Sequence, residues 1–302
     1  LFSGGAEAVE AAFRLAKSVT KKHEFVGYSG AFHGKTGGVL PLLWGDFKHG
    51  LGPFVPGMYS APYAYCYRCP LNLTYPGCGG EFAPVVNGTY EQDVVDLVNS
   101  TRASNGLPPL KRVDLLDEAA RYHATDMGQD NYFEHDSYDR SGGSLVLACA
   151  WSERITTYYS GWSSLAENIA AGSSTPTGVM DLWMNSAGHR ANILSTNNWE
   201  IGAGYYAGSG DYYSYWVQDF GRRWDVYPLI IDRDAASTTS PSVTLYIYGD
   251  WQEMRLRNDD GDWGAWLPFQ STASWALPAT GGEHTVWAEL RDGTRTATSS
   301  DA

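Results

Sequence analysis

The sequence predicts a mixed α+β chain in three parts. These are an incomplete α/β segment at 1–80, an α+β or αβα-sandwich domain at 82–228 and a small all-β module at 242–302. Three observations predict this. Within 82–228, helical periodicities come first and two β-type runs joined by a Gly-rich turn come last. The charge changes sign near Gly79–Glu81: seven basic against four acidic side chains lie in 1–80, and fourteen against thirty lie after it. Five lysines precede residue 80 and only Lys111 follows, so one continuous surface is a poor account of the chain. Finally, Ala235-Ala236-Ser237-Thr238-Thr239-Ser240-Pro241-Ser242 is small and polar, as a linker is.

The composition bounds the function. The chain has 302 residues, 43% of them hydrophobic, which supplies a sizeable core and argues against disorder throughout. Its net charge of −13 argues against a nucleic-acid backbone as partner. No apolar run reaches the roughly 18 residues of a membrane-spanning helix, so no transmembrane segment is expected. Four Cys exclude a small disulfide-stapled scaffold. The first residue is Leu1, with neither Met nor a signal-peptide pattern, so the native N-terminus is expected to lie elsewhere.

In 1–80, Ser3-Gly4-Gly5-Ala6-Glu7 is a small-residue turn opening a helical stripe of Val9, Ala12, Phe13 and Ala16, and Glu24–Tyr28 reads as a strand. A Gly-rich turn at a helix start offers N–H groups to a phosphate. Combined with Gly30-Ala31-Phe32-His33-Gly34-Lys35-Thr36, it resembles the pyridoxal-phosphate-dependent class III aminotransferases. The resemblance makes Gly5 and Ala6 the phosphate turn and Phe32 the residue stacked on the cofactor ring. It covers about 80 residues of a much longer family. Its Schiff-base lysine and pyridine-nitrogen carboxylate have no counterpart after residue 80, so the site reads as vestigial. Pyridoxal phosphate is not expected to function here, and aminotransferase activity is rejected. The segment is expected to be loosely packed, and a chimera of two genes joined near Gly79–Glu81 would explain the charge break. Cys66, Cys69 and Cys78 lack a clear fourth zinc ligand and read as inherited loop cysteines.

In 82–228, Tyr90–Arg102 carries Val94, Leu97, Val98 and Thr101 at helical spacing, and Asn105-Gly106-Leu107-Pro108-Pro109 stops it. Asp114 is the predicted cap of a second helix, with Leu116, Ala119, Ala120, His123 and Met127 on one face. His123 reads as a core histidine. Pro176–Asn185 is a third helix, and Ile201–Ala207 and Tyr213–Phe220 form a hairpin around Gly208-Ser209-Gly210-Asp211. In 242–302, five runs from Val243 to Leu290 predict short strands, with most of Trp251, Trp263, Trp266, Trp275 and Trp287 in the core. Trp263 and Trp266, if exposed, could stack on sugar rings. This module resembles the immunoglobulin-like modules appended to bacterial extracellular proteins.

Several stretches of the middle segment converge: Tyr132-Phe133-Glu134-His135, Ala166-Glu167-Asn168-Ile169-Ala170, Trp183 through Leu194 with Gly188-His189-Arg190, Ile201-Gly202-Ala203-Gly204-Tyr205, and Tyr215-Trp216-Val217-Gln218-Asp219-Phe220-Gly221. In that order they resemble the bacterial branch of the CAP superfamily, the cysteine-rich secretory, antigen 5 and pathogenesis-related proteins. The resemblance implies an αβα sandwich, usually secreted, with a cleft lined by two histidines and up to two acids. It places His135 and His189 as the histidines and Glu167 as the first acid. Ser186 stands where some members carry a second glutamate; as a helix-terminal Ser it reads as a cap rather than a nucleophile.

Two imidazoles and one carboxylate have three possible uses. They could ligate a divalent metal (zinc or calcium) through His135, His189 and Glu167. Glu167 could orient a His as general base in a metal-assisted hydrolase of peptide or cell-wall material. The trio could also simply cross-link the cleft by hydrogen bonds. The leading expectation is an extracellular or cell-surface binding protein whose ligand is a lipid, glycan or protein.

Overall fold

The structure is a computed structural model that describes residues 4–22, 24–28, 33–42, 58–61, 87–141, 143–208 and 210–302. The chain divides into two compact units, Leu1–Ala83 and Pro84–Ala302. Phe32, the three cysteines Cys66, Cys69 and Cys78, and the Gly79–Glu81 junction lie outside the described residues.

In the first unit, α1 (Gly5–Thr20) is followed by β1 (Phe25–Tyr28), a 3-10 turn (Leu40–Leu42) and β2 (Met58–Ala61), with β1 and β2 paired in parallel. No residue of α1 is buried. Its apolar stripe meets β1 through Phe13 and Phe25, whose ring centroids are 4.4 Å apart. Ala6 lies against Gly34, where a Cβ would fall 2.4 Å from the Ala6 methyl and φ is +109°. Only glycine fits that contact. The two short motifs of this unit therefore touch.

The second unit opens with α2 (Gly88–Ser104), β3 (Lys111–Arg112) and α3 (Asp114–Gln129). A hairpin of β4 (Ser137–Ser141) and β5 (Ser144–Cys149) leads into α4 (Trp151–Tyr158) and β6 (Trp162–Ala171). Then come α5 (Pro176–Asn185), α6 (Ala187–Ile193), β7 (Glu200–Ala207) and β8 (Ser214–Arg223). The Asn87 side chain caps α2 and Thr175 caps α5. The residue capping α3 is Val113, without a side-chain bond; Asp114 is the first helical residue, where its charge favours the helix N-terminus.

The sheet runs β3-β7-β8-β6, antiparallel except for β3 with β7. Alternation along the strands sends side chains to two helical layers. Ala170, Ile201, Ala203, Trp216 and Phe220 pack with α2, α5 and α6 around Trp183. Ile169, Tyr215 and Val217 pack on Ala120, Ala124 and Met127 of α3. The result is an αβα sandwich. On the α3 side β7 presents Gly202 and Gly204, where a Cβ would sit 2.1–2.2 Å from α3 backbone atoms, so the helix lies directly on the strand.

The remaining strands are β9 (Leu229–Ile231), β10 (Ser242–Ile247), β11 (Glu253–Asn258), β12 (Leu267–Pro268), β13 (Thr272–Ala276), β14 (Val286–Asp292) and β15 (Arg295–Asp301). They form two sheets, β13-β10-β9 and β12-β11-β14-β15, whose inward rows share one core. β9 precedes the Ala235–Ser242 run and pairs with β10 after it, so that run joins two paired strands. Lys111 reaches Asp234 at 2.9 Å and also pairs with Asp301, and the Tyr248 hydroxyl donates to the Pro109 carbonyl at 2.8 Å. These bonds fasten the β sheets to the sandwich. Of the five tryptophans here, Trp251 is buried and Trp275 packs against the core. Trp263, Trp266 and Trp287 instead stack with Arg255, Arg257 and Arg291, the closest guanidinium 3.8 Å from the Trp266 centroid. Guanidinium stacking occupies indole faces that the sugar-stacking reading needs.

Candidate functional site

Edge strand β6 carries the centre of the site. Glu167 and Asn168 are consecutive on it and so point to opposite faces. Glu167 faces the α3–α4 side, and its side chain is 1% exposed. One oxygen receives the His135 Nδ1–H at 2.7 Å and the other is paired with the Arg154 guanidinium from α4. Burial disfavours the Glu167 charge, but Arg154 and the His135 hydrogen bond outweigh it and hold its pKa below the ordinary carboxylate range.

His135 is fixed from behind. Arg154 donates to the His135 carbonyl at 2.9 Å and to Ser137 Oγ at 3.0 Å, while the preceding carbonyl of Glu134 accepts from His123 Nε2 at 3.0 Å. The His135 side chain is 49% exposed, so the ring is anchored at Nδ1 and its other edge faces solvent. The hydrogen bond to Glu167 raises its pKa despite partial burial. His123 is the core histidine that the helical pattern implies. It is fully buried, and burial together with nearby Arg154 pushes its pKa down to about 3, so it stays neutral.

His189 arrives from the opposite layer on α6, a helix tied to β6 by asparagines. Asn192 Nδ2 donates to the Glu167 carbonyl at 3.2 Å and to Asn168 Oδ1 at 2.9 Å, and Asn168 Nδ2 donates to the His189 carbonyl at 3.2 Å. Arg190 closes the turn onto the Met184 carbonyl at 2.7 Å. Burial lowers the His189 pKa, and the charge of His135 lowers it further. The structure thus joins His135 directly to Glu167, while His189 reaches the same strand from the other layer through its carbonyl and feels the His135 charge. Ser186 ends α5 and begins α6, as a helix-terminal Ser should.

Glu167 is committed within the protein rather than open to a third-ligand role. Both Glu167 oxygens are engaged, one by a buried guanidinium, and His135 Nδ1 is spent on Glu167. Among the described residues, no three His, Cys, Asp or Glu side chains are placed to hold a metal ion. What remains is a carboxylate-oriented imidazole facing solvent, with a second ring nearby. That arrangement can donate or accept a proton, or hydrogen-bond a ligand. Of the residues that the aminotransferase resemblance singles out, Gly5 and Ala6 are the first two of α1.

Two site residues were not read from the sequence. Arg154 lies in an eight-residue helix whose one buried apolar side chain is Ile155. Asp219 sits beside Glu167 in the ladder, and the signal for it was present: an acid inside the apolar run Tyr215–Phe220.

Residues 95–220 match the model of the cysteine-rich secretory protein family (CAP), and residues 1–95 match aminotransferase class-III. The uncharacterized protein YkwD of Bacillus subtilis (strain 168) is 39% identical over 138 residues, which are 46% of this chain and 49% of that protein. Diaminobutyrate–2-oxoglutarate aminotransferase of Rhizobium meliloti (strain 1021) is 46% identical over 69 residues, 22% of this chain and 14% of that enzyme. Among solved structures, an extracellular protein containing a SCP domain from Bacillus anthracis str. Ames is similar with a TM-score of 0.38 and 30% identity, covering 45% of this chain and 41% of that one. The chain spans about half of the first of these relatives and a seventh of the second. Among the described residues no helix is long and apolar enough to cross a membrane. The likeness to the cysteine-rich secretory protein family thus rests on residues 95–220, and the likeness to class-III aminotransferases on the segment before them.

Proposed function

We propose that the sandwich is a ligand-binding domain acting outside the cell, with the His135 ring as its polar contact and His189 as the second wall. The observation that carries this is the state of Glu167: buried, charged and committed to His135 and Arg154. It therefore fixes a ring rather than meeting a ligand itself. An anchored imidazole loses little conformational entropy on binding. The ligand is an extracellular glycan, lipid or protein with a polar group for the ring. Soluble cell-wall muropeptides and neutral phospholipid vesicles are suitable probes. The ring signals of His135 and His189 are expected to shift together on addition of one of them, and His135→Ala removes the response. Binding that leaves both rings silent contradicts the proposal.

A second reading, hydrolysis of peptide or cell-wall material, is favoured by one observation. The 2.7 Å Glu167–His135 bond is the arrangement of a carboxylate-oriented general base. That reading requires muropeptide turnover that His135→Ala abolishes. The rate would rise with pH through the elevated pKa of His135, because only the neutral ring takes a proton.

A further inference from the structure

Behind Glu167 lies a second carboxyl group. Asp219 of β8 is the direct cross-strand partner of Glu167, on the same face of the sheet, and is fully buried. Among the described residues, neither of its oxygens has a hydrogen-bond donor, and the group it meets is the Glu167 carboxylate. Two bare carboxylates cannot share such a space; one proton between them turns the clash into a hydrogen bond.

The surroundings decide where that proton rests. Arg154 of α4 is the cation at the pair, and Glu167 already holds it. From α3, Asp117 adds negative charge to Asp219, while His123 is neutral. Asp126, also on α3, is hydrogen-bonded by Tyr132 and is pushed by burial up to about 7. His135 bonds to Glu167, and the β7 residue opposite Asp219 is Gly202, which offers no side chain. Glu167 thus holds both the cation and the imidazole, and among the described residues Asp219 has no donor of its own.

We propose that Asp219 is a neutral carboxylic acid that donates its proton to Glu167, making it the positioning residue that keeps one negative charge, matched to Arg154, behind the His135 ring. This deepens the reading of the cleft as an anchored imidazole, but its test needs no ligand and so fails or succeeds independently of that reading. Burial, then the adjoining Glu167 charge, raises the pKa of Asp219 well above its ordinary 3.8. A group raised in the folded state supports stability below its unfolded pKa and withdraws that support as pH rises through the folded one.

The test compares wild type with D219N, an isosteric change that keeps a donor toward Glu167. D219N is expected to melt higher than wild type at about pH 7, with the advantage vanishing below the ordinary aspartate range. The His135 ring titration is expected to be the same in both proteins. A lower melting temperature for D219N at neutral pH, together with a downward shift of the His135 midpoint, is what losing an ionised Asp219 would produce, and it overturns the proposal. No difference between the proteins at either pH also overturns it. If D219N does not fold, the side-chain carboxyl carbon of Asp219 in 13C-aspartate-labelled wild type decides. A protonated shift at neutral pH supports the proposal, and an ionised shift ends it.

Discussion

Replacing Arg154 by Met is expected to destabilise the sandwich by about 3–5 kcal/mol, because it leaves the Glu167 carboxylate buried without its cation. The Arg154 side chain is 1% exposed and serves three acceptors: Glu167, the His135 carbonyl and Ser137. Water cannot take its place. The remaining partner, His135, supplies full charge only when protonated. Urea unfolding of the full chain at neutral pH measures the loss, and it should shrink in acid as Glu167 is neutralised. Arg154→Lys should not rescue, because one ammonium cannot span three separated acceptors in the plane of a guanidinium. A loss below about 1 kcal/mol would mean that the pair behaves as a solvated surface bridge.

Gly202→Ala is expected to cost about 3 kcal/mol or more, from overpacking with no side chain able to yield. The new methyl would fall 2.1 Å from the Leu116 carbonyl carbon and 2.2 Å from the Asp117 nitrogen, both backbone atoms of α3. The helix would have to lift from β7, pulling Asp117 away from the Ala203 N–H that it accepts at 2.8 Å. Thermal melting should show a fall of roughly 6–12 °C. By contrast Gly106→Ala, in an open turn where nothing lies within 4 Å, meets only the backbone cost of φ +70° and should lose far less. Equal losses at the two positions would remove close helix–strand packing as the reason for the glycines in Ile201–Tyr205.

The parts of the fold legible in the sequence are those where one periodicity dominates. α2, α3 and α5 show an apolar stripe, β10 and β11 alternate, and β7 and β8 are β-type runs flanking a Gly-rich turn. β6 gave no such signal. Its Trp162–Ala171 run is rich in Ser, Ala, Glu and Asn, and it is a strand because β8 pairs along it from Arg223 to Tyr215. β9 has three residues and exists through β10. The three site residues His135, Glu167 and His189 could be named because they sit in recognisable short motifs. The role of Glu167 could not be. Whether a carboxylate ligates, catalyses or orients depends on what occupies its two oxygens, and Arg154 lies thirteen residues away in a separate short helix. The outward Trp–Arg stack was missed for a similar reason: indole content indicates burial, while the cross-strand guanidiniums that shield Trp263 and Trp266 belong to β11 and β14.

The central claim is that His135 and His189, far apart in the chain and on opposite layers of the sandwich, confront each other across β6. The most direct measurement is the ring titration of His189 in wild type and in His135→Ala, a substitution at a half-exposed site. Burial keeps the His189 midpoint low in both proteins, and the neighbouring His135 charge lowers it further in wild type alone. The account predicts an upward shift of the His189 midpoint when His135 is removed; an unchanged midpoint would place the two rings out of each other's reach and contradict it.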